Sequence, residues 1–426
     1  MQEIFYNGKI ITNNEKNEIA QAMLINDGSV VYVGCDEEVL NLKTDGTKLT
    51  DLQEKYVYPS LFDFDANVFE KIDEKIKNAN QDKKLQNLDE INENYDNFQD
   101  YEEYKKEYLE LEKEYIKKGI ATIVEMKIDR REFAFWKKMS DEKQLKLDVI
   151  AYVDMVTSKQ VMDDNCVTYR KYRNHFRLGG YYLKIDGKIH ELKAWLKKTY
   201  TGTKSHYGSS EFYGEQLHYF IKTALEEKKQ ILFEVNGDKA VEEVLTVLEE
   251  VEKQDKITNF YRPIFYGSNL IEKKTFLKLK HFDITLLLEE FDDGIEKNIR
   301  KFIGLFRRKK FHNYNQLIKN DIRFILINHN FEKQSFDSLM SCFFVKKRKI
   351  IQKMLKNSEY YDKNVKNLSK FTYLNPAYVC FDQDTKLSLE TQKQASFVCL
   401  NKSVLSANFD FEKELNCVYL NGEKQF

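Results

Sequence analysis

The middle of the chain alternates short β-like apolar runs with helix-like stretches, and this pattern constrains the fold more than anything else in the sequence. The runs are Ala121-Thr122-Ile123-Val124, Val149 to Val153, Tyr181 to Ile185, Ile231 to Val235, Ile284 to Leu288 and Phe324 to Ile327. Between them the apolar spacing turns helical, as in Ala240, Val241, Val244, Leu245, Val247 and Leu248. Alternation of this kind over about 300 residues predicts a parallel sheet, most simply a (β/α)8 TIM-like barrel of the α/β class.

The two ends read differently. Residues 1–57 are short apolar runs divided by Asn7-Gly8, Asp27-Gly28, Gly34 and Asp45-Gly46. Asn-Gly and Asp-Gly between apolar runs are hairpin signals, so a small antiparallel sheet is expected. The far end repeats the pattern in Ala395 to Leu400 and in Cys417 to Leu420 before Asn421-Gly422. One composite β-sandwich domain from residues 1–57 and 366–426, enclosing a barrel at 58–365, is the expected organisation. Residues 70–118 are highly charged, with Tyr101, Tyr104, Tyr108, Leu111 and Tyr115 at helical intervals and Gly119 placed as a C-cap. That aromatic stripe reads as core or dimer contact.

Composition narrows the function classes. Lys and Arg number 68 against 69 Asp and Glu, so no net field favours nucleic acid. The basic runs Arg307 to Lys310 and Lys346 to Lys349 read as solvated faces. No apolar run approaches the roughly 18 residues of a membrane helix, and Met1-Gln2-Glu3-Ile4 has no secretory pattern. Six cysteines without Cys-x-x-Cys spacing read as reduced core residues of a cytoplasmic protein. Gly (16) and Pro (3) are scarce, which leaves few tight turns for ligand-binding loops.

Several motifs share an order along the chain. Phe5 to Ile11, Met23 to Gly28 and Val31 to Gly34 precede Pro59-Ser60-Leu61-Phe62-Asp63-Phe64-Asp65-Ala66-Asn67. Leu183-Lys184-Ile185-Asp186-Gly187, Asn236-Gly237-Asp238-Lys239-Ala240-Val241, Asn375-Pro376-Ala377 and Leu387 to Val398 follow. The set resembles the amidohydrolase superfamily, in particular its YtcJ-like, N-substituted-formamide-deformylase-like branch. That resemblance implies metal ligands at the C-terminal ends of barrel strands, with the metal making water nucleophilic and an Asp moving a proton to the leaving nitrogen.

Carried over position by position, the family's His-x-His pair falls on Asp65 and Asn67, and its lysine on Lys184. A later histidine falls on Glu234, another on Phe265, and the final aspartate on His329. Only the lysine keeps its type. Zinc is held by imidazole nitrogens at fixed distance, and a phenyl ring holds nothing, so no cofactor is expected. The replacements form a polar cluster in this reading, with Lys184 balancing Asp65 and Glu234. The alternative is one divalent ion (Zn, Mn or Mg) on Asp65, Glu234 and His329.

Elsewhere the histidines at 175, 190, 206, 218, 281 and 312 read as surface or loop residues, and Asp238 as the cap of a helix starting near Lys239. No Walker loop, nucleophile elbow or dinucleotide fingerprint occurs. The expected function is a catalytically degenerate amidohydrolase homologue that binds or assembles, as a homodimer or with an active paralogue. The alternative is an active hydrolase of non-peptide C–N bonds with a remodelled site. Neither nucleic acid nor membrane is an expected partner.

Overall fold

The structure, a computed structural model, describes residues 2–16, 18–79, 100–291, 293–311, 314–328, 370–404, 406 and 409–426. Its central element is one eight-stranded sheet whose strands neighbour each other in chain order. They are β1 (Leu61–Asp63), β2 (Ile120–Ile128), β3 (Asp148–Asp154), β4 (Phe176–Lys184), β5 (Ile231–Glu234), β6 (Ile264–Tyr266), β7 (Thr285–Glu290) and β8 (Phe324–Asn328). The described pairings are parallel, with helices such as Gly214–Glu226 and Asp238–Asp255 between strands. Parallel neighbours require crossover connections, which is the arrangement the alternating pattern demands. The fold is an α/β TIM-like barrel with a terminal sheet domain. Of the strands, β6 has only three residues, too few for an apolar run to stand out.

Two smaller sheets come from the termini. One orders Ser29–Gly34, Ala22–Asn26, Gln2–Tyr6 and Lys48–Asp51. The other orders Glu423–Lys424, Leu415–Leu420, Phe397–Leu400, Tyr56–Pro59, Lys9–Ile11 and Ile19–Ala20, so it takes strands from both ends of the chain. Phe5, Ile10, Met23, Val57, Leu389, Phe397 and Tyr419 pack in a common core, with Phe5 edge-on to Phe397 at 5.3 Å. Burial at about 25 cal/mol per Å2 of apolar surface makes such a core the main reason the two ends stay joined.

These sheets correct the expectation of one antiparallel sheet. Asp27-Gly28 does make a tight hairpin, with positive φ at both residues. Asn7-Gly8 does not; it carries the chain from one sheet into the other. Gln2–Tyr6 also runs parallel to Lys48–Asp51, and Lys9–Ile11 parallel to Tyr56–Pro59.

By packing, the chain divides into two compact units, residues 1–124 with 138–149 and 330–426, and residues 125–137 with 150–329. In the first, helix Tyr101–Lys117 buries Tyr101, Tyr104, Tyr108, Leu111 and Tyr115, so the aromatic stripe is core. Gly119 ends it with φ 76°, a left-handed position that a Cβ disfavours. Two cysteines depart from the core reading: Cys35 and Cys166 are exposed, while Cys380, Cys399 and Cys417 are buried; Cys342 lies outside the described residues. Arg307 is no solvated residue either. Its guanidinium is buried and donates to the carbonyls of Ile303, Lys198 and Thr199. Lys346 to Lys349 lie outside the described residues. Among the described residues no helix is long and apolar enough to cross a membrane.

Candidate functional site

Strand alternation decides which side chains meet at the C-terminal ends of β4 to β7. Lys184 pairs in register with Glu234, and Glu234 with Tyr266, so these three share one face of the sheet. Tyr182 lies two residues before Lys184, and Glu289 two residues beyond Leu287, the partner of Tyr266. Both therefore point to the same side. All five end up at the strand ends of residues 150–329, where a barrel of this class builds its sites.

The centre of the cluster is Lys188. Its Nζ lies 2.6 Å from Glu289 Oε1 and 3.6 Å from Glu234 Oε1, donates to Tyr266 Oη at 2.8 Å, and sits 4.1 Å above the Tyr266 ring. Tyr266 Oη donates in turn to Glu289 at 3.0 Å, and Tyr182 Oη donates to Glu234. Burial and the adjoining Glu234 carboxylate hold the Tyr182 hydroxyl well above the usual phenol range. Glu289 is almost wholly buried, and the ammonium and hydroxyl help to balance its charge. Nearby, Asn269 Nδ2 approaches Glu289 Oε2 at 3.4 Å, while its buried Oδ1 accepts no hydrogen bond from any described residue.

The loop that carries Lys188 is fastened from below. Asp186 is buried and accepts backbone N–H groups from Asn236 (2.6 Å), Trp195 (2.7 Å) and Gly237 (2.8 Å). Burial pushes its carboxyl up to about 7 against the pull of these three donors. Gly237 is required here because a Cβ would stand 1.9 Å from the Trp195 carbonyl oxygen. Asp238 is not the cap expected of it. It is the first residue of its helix, and its carboxylate accepts the Lys197 amide at 2.9 Å.

The positions inherited from the sequence reading meet different fates. Glu234 belongs to the cluster, but its balancing lysine is Lys188. Lys184 instead pairs with Glu211 at 2.9 Å, and that hydrogen bond raises its pKa, keeping it an ammonium. Phe265 lies on the opposite face of the sheet, edge-on to Phe233 at 5.6 Å and fully buried; the residue of β6 facing the cluster is Tyr266. Asp65 and Asn67 belong to the other unit, where Asn67 Nδ2 donates to Asp65 Oδ1 at 2.7 Å and the Asp65 amide to Asp63 at 3.0 Å. Ala66 between them has its carbonyl taken by Tyr115 (2.9 Å) and Lys71 (2.5 Å). His329 lies outside the described residues.

Lys188, Tyr182, Tyr266 and Glu289 were not singled out by sequence. A signal existed for Glu289, which extends the Ile284 to Leu288 run by one residue to a strand end, and for Tyr182, which alternates with Lys184. Lys188 had none, since nothing local says where a loop lysine reaches. Among the surface histidines, His281 meets Glu252 at 2.7 Å and His218 meets Asp255 at 3.0 Å. His312 lies outside the described residues.

This donor set does not fit a shared-lysine metal pair. One carboxylate is held by an ammonium and a tyrosine, the lysine is protonated against Glu211, and Phe265 offers no donor. Among the described residues no group of three or more His, Cys, Asp or Glu is placed to hold a metal.

This fold is similar to those of several solved hydrolases. An uncharacterized metal-dependent hydrolase from Pyrococcus horikoshii OT3 matches with a TM-score of 0.73 at 17% identity, over 98% of this chain and 100% of its own. A second, from Pyrococcus furiosus, matches with a TM-score of 0.74 at 15% identity, over 95% of this chain and 100% of its own. A Xaa-Pro dipeptidase solved with methionine in its active site gives 0.62 at 9% identity, over 100% of both chains. At such identities the likeness is one of fold. No curated protein matches in sequence. The sequence matches the amidohydrolase family over residues 86–265. The match covers less than half of the chain, and the likeness to the solved structures concerns the fold. The match is to the family, not to one branch of it.

Proposed function

We propose that this protein is an amidohydrolase-like barrel that has lost the metal chemistry of its superfamily and acts by binding or assembly. The observation that carries the reading is the Lys188 ammonium between Glu289 and Glu234, the latter a position where the resemblance puts a metal ligand. A tethered cation satisfies those carboxylates without an ion. The loss of imidazole at Asp65, Asn67, Glu234 and Phe265 points the same way. Assignment to the YtcJ-like branch rests on the order of the motifs, and a cytoplasmic location on the composition. The partner class is a second copy or an active paralogue.

A second reading, hydrolysis of non-peptide C–N bonds at a remodelled site, draws on Glu234, a carboxylate at a strand end. One experiment separates the two. The tagged chain, purified without chelator, is expected to carry less than about 0.1 metal per chain by elemental analysis, with only itself or one relative co-purifying. Stoichiometric metal would sink the first reading and favour the second.

A further inference from the structure

Two cysteines that the sequence keeps apart meet in the terminal sheets. Cys399 and Cys417 stand directly opposite each other on the antiparallel strands Phe397–Leu400 and Leu415–Leu420. Opposed residues of such strands project to the same face, so both thiols enter the core that also holds Phe5, Val57 and Phe397. Opposed positions place Cα atoms about 4.5–5.5 Å apart, within the roughly 4.4–6.8 Å that a disulfide spans. Both cysteines are free, and the Cys399 thiol donates a hydrogen bond to the Cys417 sulfur.

Packing alone would be served by any two small apolar side chains. Two further features point beyond packing. The ladder is interrupted directly after the pair: Cys399 faces Cys417 but Leu400 faces Leu415, so Asn416 is an extra residue. A bulge of this kind lets a strand bend locally, which eases the closing of a sulfur–sulfur bond. The second feature is the polarity of the pair. The hydrogen bond from Cys399, with Lys424 and Lys55 close by, holds the Cys417 thiol below its ordinary value against the effect of burial. Cys417 is also the more accessible of the two, 8% exposed against 1%. One sulfur is prepared to attack, and the other lies beside it.

We infer that Cys399 and Cys417 form a reversible disulfide under hydrogen peroxide, with Cys417 as the attacking sulfur and Cys399 as the resolving one. The Cys417 thiolate attacks one peroxide oxygen, the O–O bond breaks, and hydroxide leaves to take up the proton that the thiol released. Cys417 is then a sulfenic acid. The Cys399 sulfur attacks the Cys417 sulfur, the S–O bond breaks, and the hydroxyl departs with the Cys399 proton as a second water. Two thiols give up two electrons, and one peroxide becomes two waters. A small dithiol reverses the bond by exchange. Strand Phe397–Leu400 also pairs with Tyr56–Pro59, so the bond fastens the last long strand to the sheet that both ends of the chain share. It is independent of the groups at the barrel strand ends.

The test treats the full chain near pH 7 with a slight excess of hydrogen peroxide, quenched with catalase. The chain is then unfolded in urea with iodoacetamide and digested without reductant for mass spectrometry. Peptides joined through Cys399 and Cys417 are expected in about half of the chains or more, and dithiothreitol should return both thiols. Cys399→Ser should leave Cys417 as a sulfenic acid that dimedone traps, whereas Cys417→Ser should protect Cys399. The map of the unaltered chain decides the matter even where a variant does not fold. Oxidation confined to the exposed Cys35 and Cys166 overturns the inference, as does linkage of either core cysteine to any other cysteine. A bond that forms only when the chain is unfolded before treatment does the same. So does a Cys417→Ser chain whose Cys399 is oxidised as fast as before.

Discussion

Two lysines in this protein sit between paired carboxylates, and they differ in what surrounds them. Lys386, in the unit built from residues 1–124, 138–149 and 330–426, lies 2.6 Å from Asp148 and 3.8 Å from Asp382, with Thr122 at 3.3 Å. It is 6% exposed. Lys188 in the other unit is 20% exposed and has the Tyr266 hydroxyl and ring around it as well as carboxylates. Lys386 ties the segment before the last strands to the start of β3, a structural task. Lys188 crowns the ends of β4 to β7, where ligands are bound in barrels. The same ion-pair chemistry can therefore lock a fold or block a site, and burial together with the third and fourth neighbours decides which.

Substitution pulls the two apart. Lys386→Met should cost about 3–5 kcal/mol in urea unfolding, because it leaves Asp148 buried beside a methyl group. Lys188→Met should cost less, up to about 3 kcal/mol, since one side of its pair is wetter. Equal losses in the two variants would dissolve the contrast.

A smaller effect concerns the loop beneath Lys188. Asp186 titrates near 7 in the folded chain and at its ordinary acidic value when unfolded. Between those values the folded chain holds the extra proton, so stability falls as pH rises from about 4 to about 7. One proton contributes at most about 1.4 kcal/mol per pH unit. Urea midpoints measured across that range should show the slope in the natural chain and lose this component in Asp186→Asn. The smallest change is expected at Glu211→Gln. The Lys184–Glu211 pair is exposed on both sides, and its removal should shift stability by no more than about 0.5 kcal/mol. A larger loss would mean that Lys184 has a structural task like that of Lys386.

Much of the scaffold was legible because its signals are local. An apolar run followed by a helical pattern means the same thing wherever it occurs, so β2, β3, β4, β5, β7 and β8 were visible from composition and spacing. Asp27-Gly28 is legible for the same reason, as its turn needs positive φ at both residues. Asn7-Gly8 misled because a turn signal does not say which sheet receives the next strand; a core shared by Phe5 and Ile10 on two sheets decided that. Asp238 misled likewise. An acidic residue at a helix start looks like a cap, but the Lys197 amide claimed its carboxylate from 41 residues away.

From the order of its residues alone, this chain was committed to parallel strands with crossovers and to carboxylate, amide and phenyl groups at Asp65, Asn67, Glu234 and Phe265, where the resemblance puts histidines. Those are statements about neighbours in sequence and about which atoms a side chain possesses. Which lysine meets Glu234 was left to the folded chain. Lys184 is on the adjacent strand yet turns to Glu211, while Lys188 reaches in from a loop. That loop stands where it does because Asp186 takes the amides of Asn236 and Gly237, fifty residues further on. A bond between such distant groups has no local signature, and it exists only once both strands are in place.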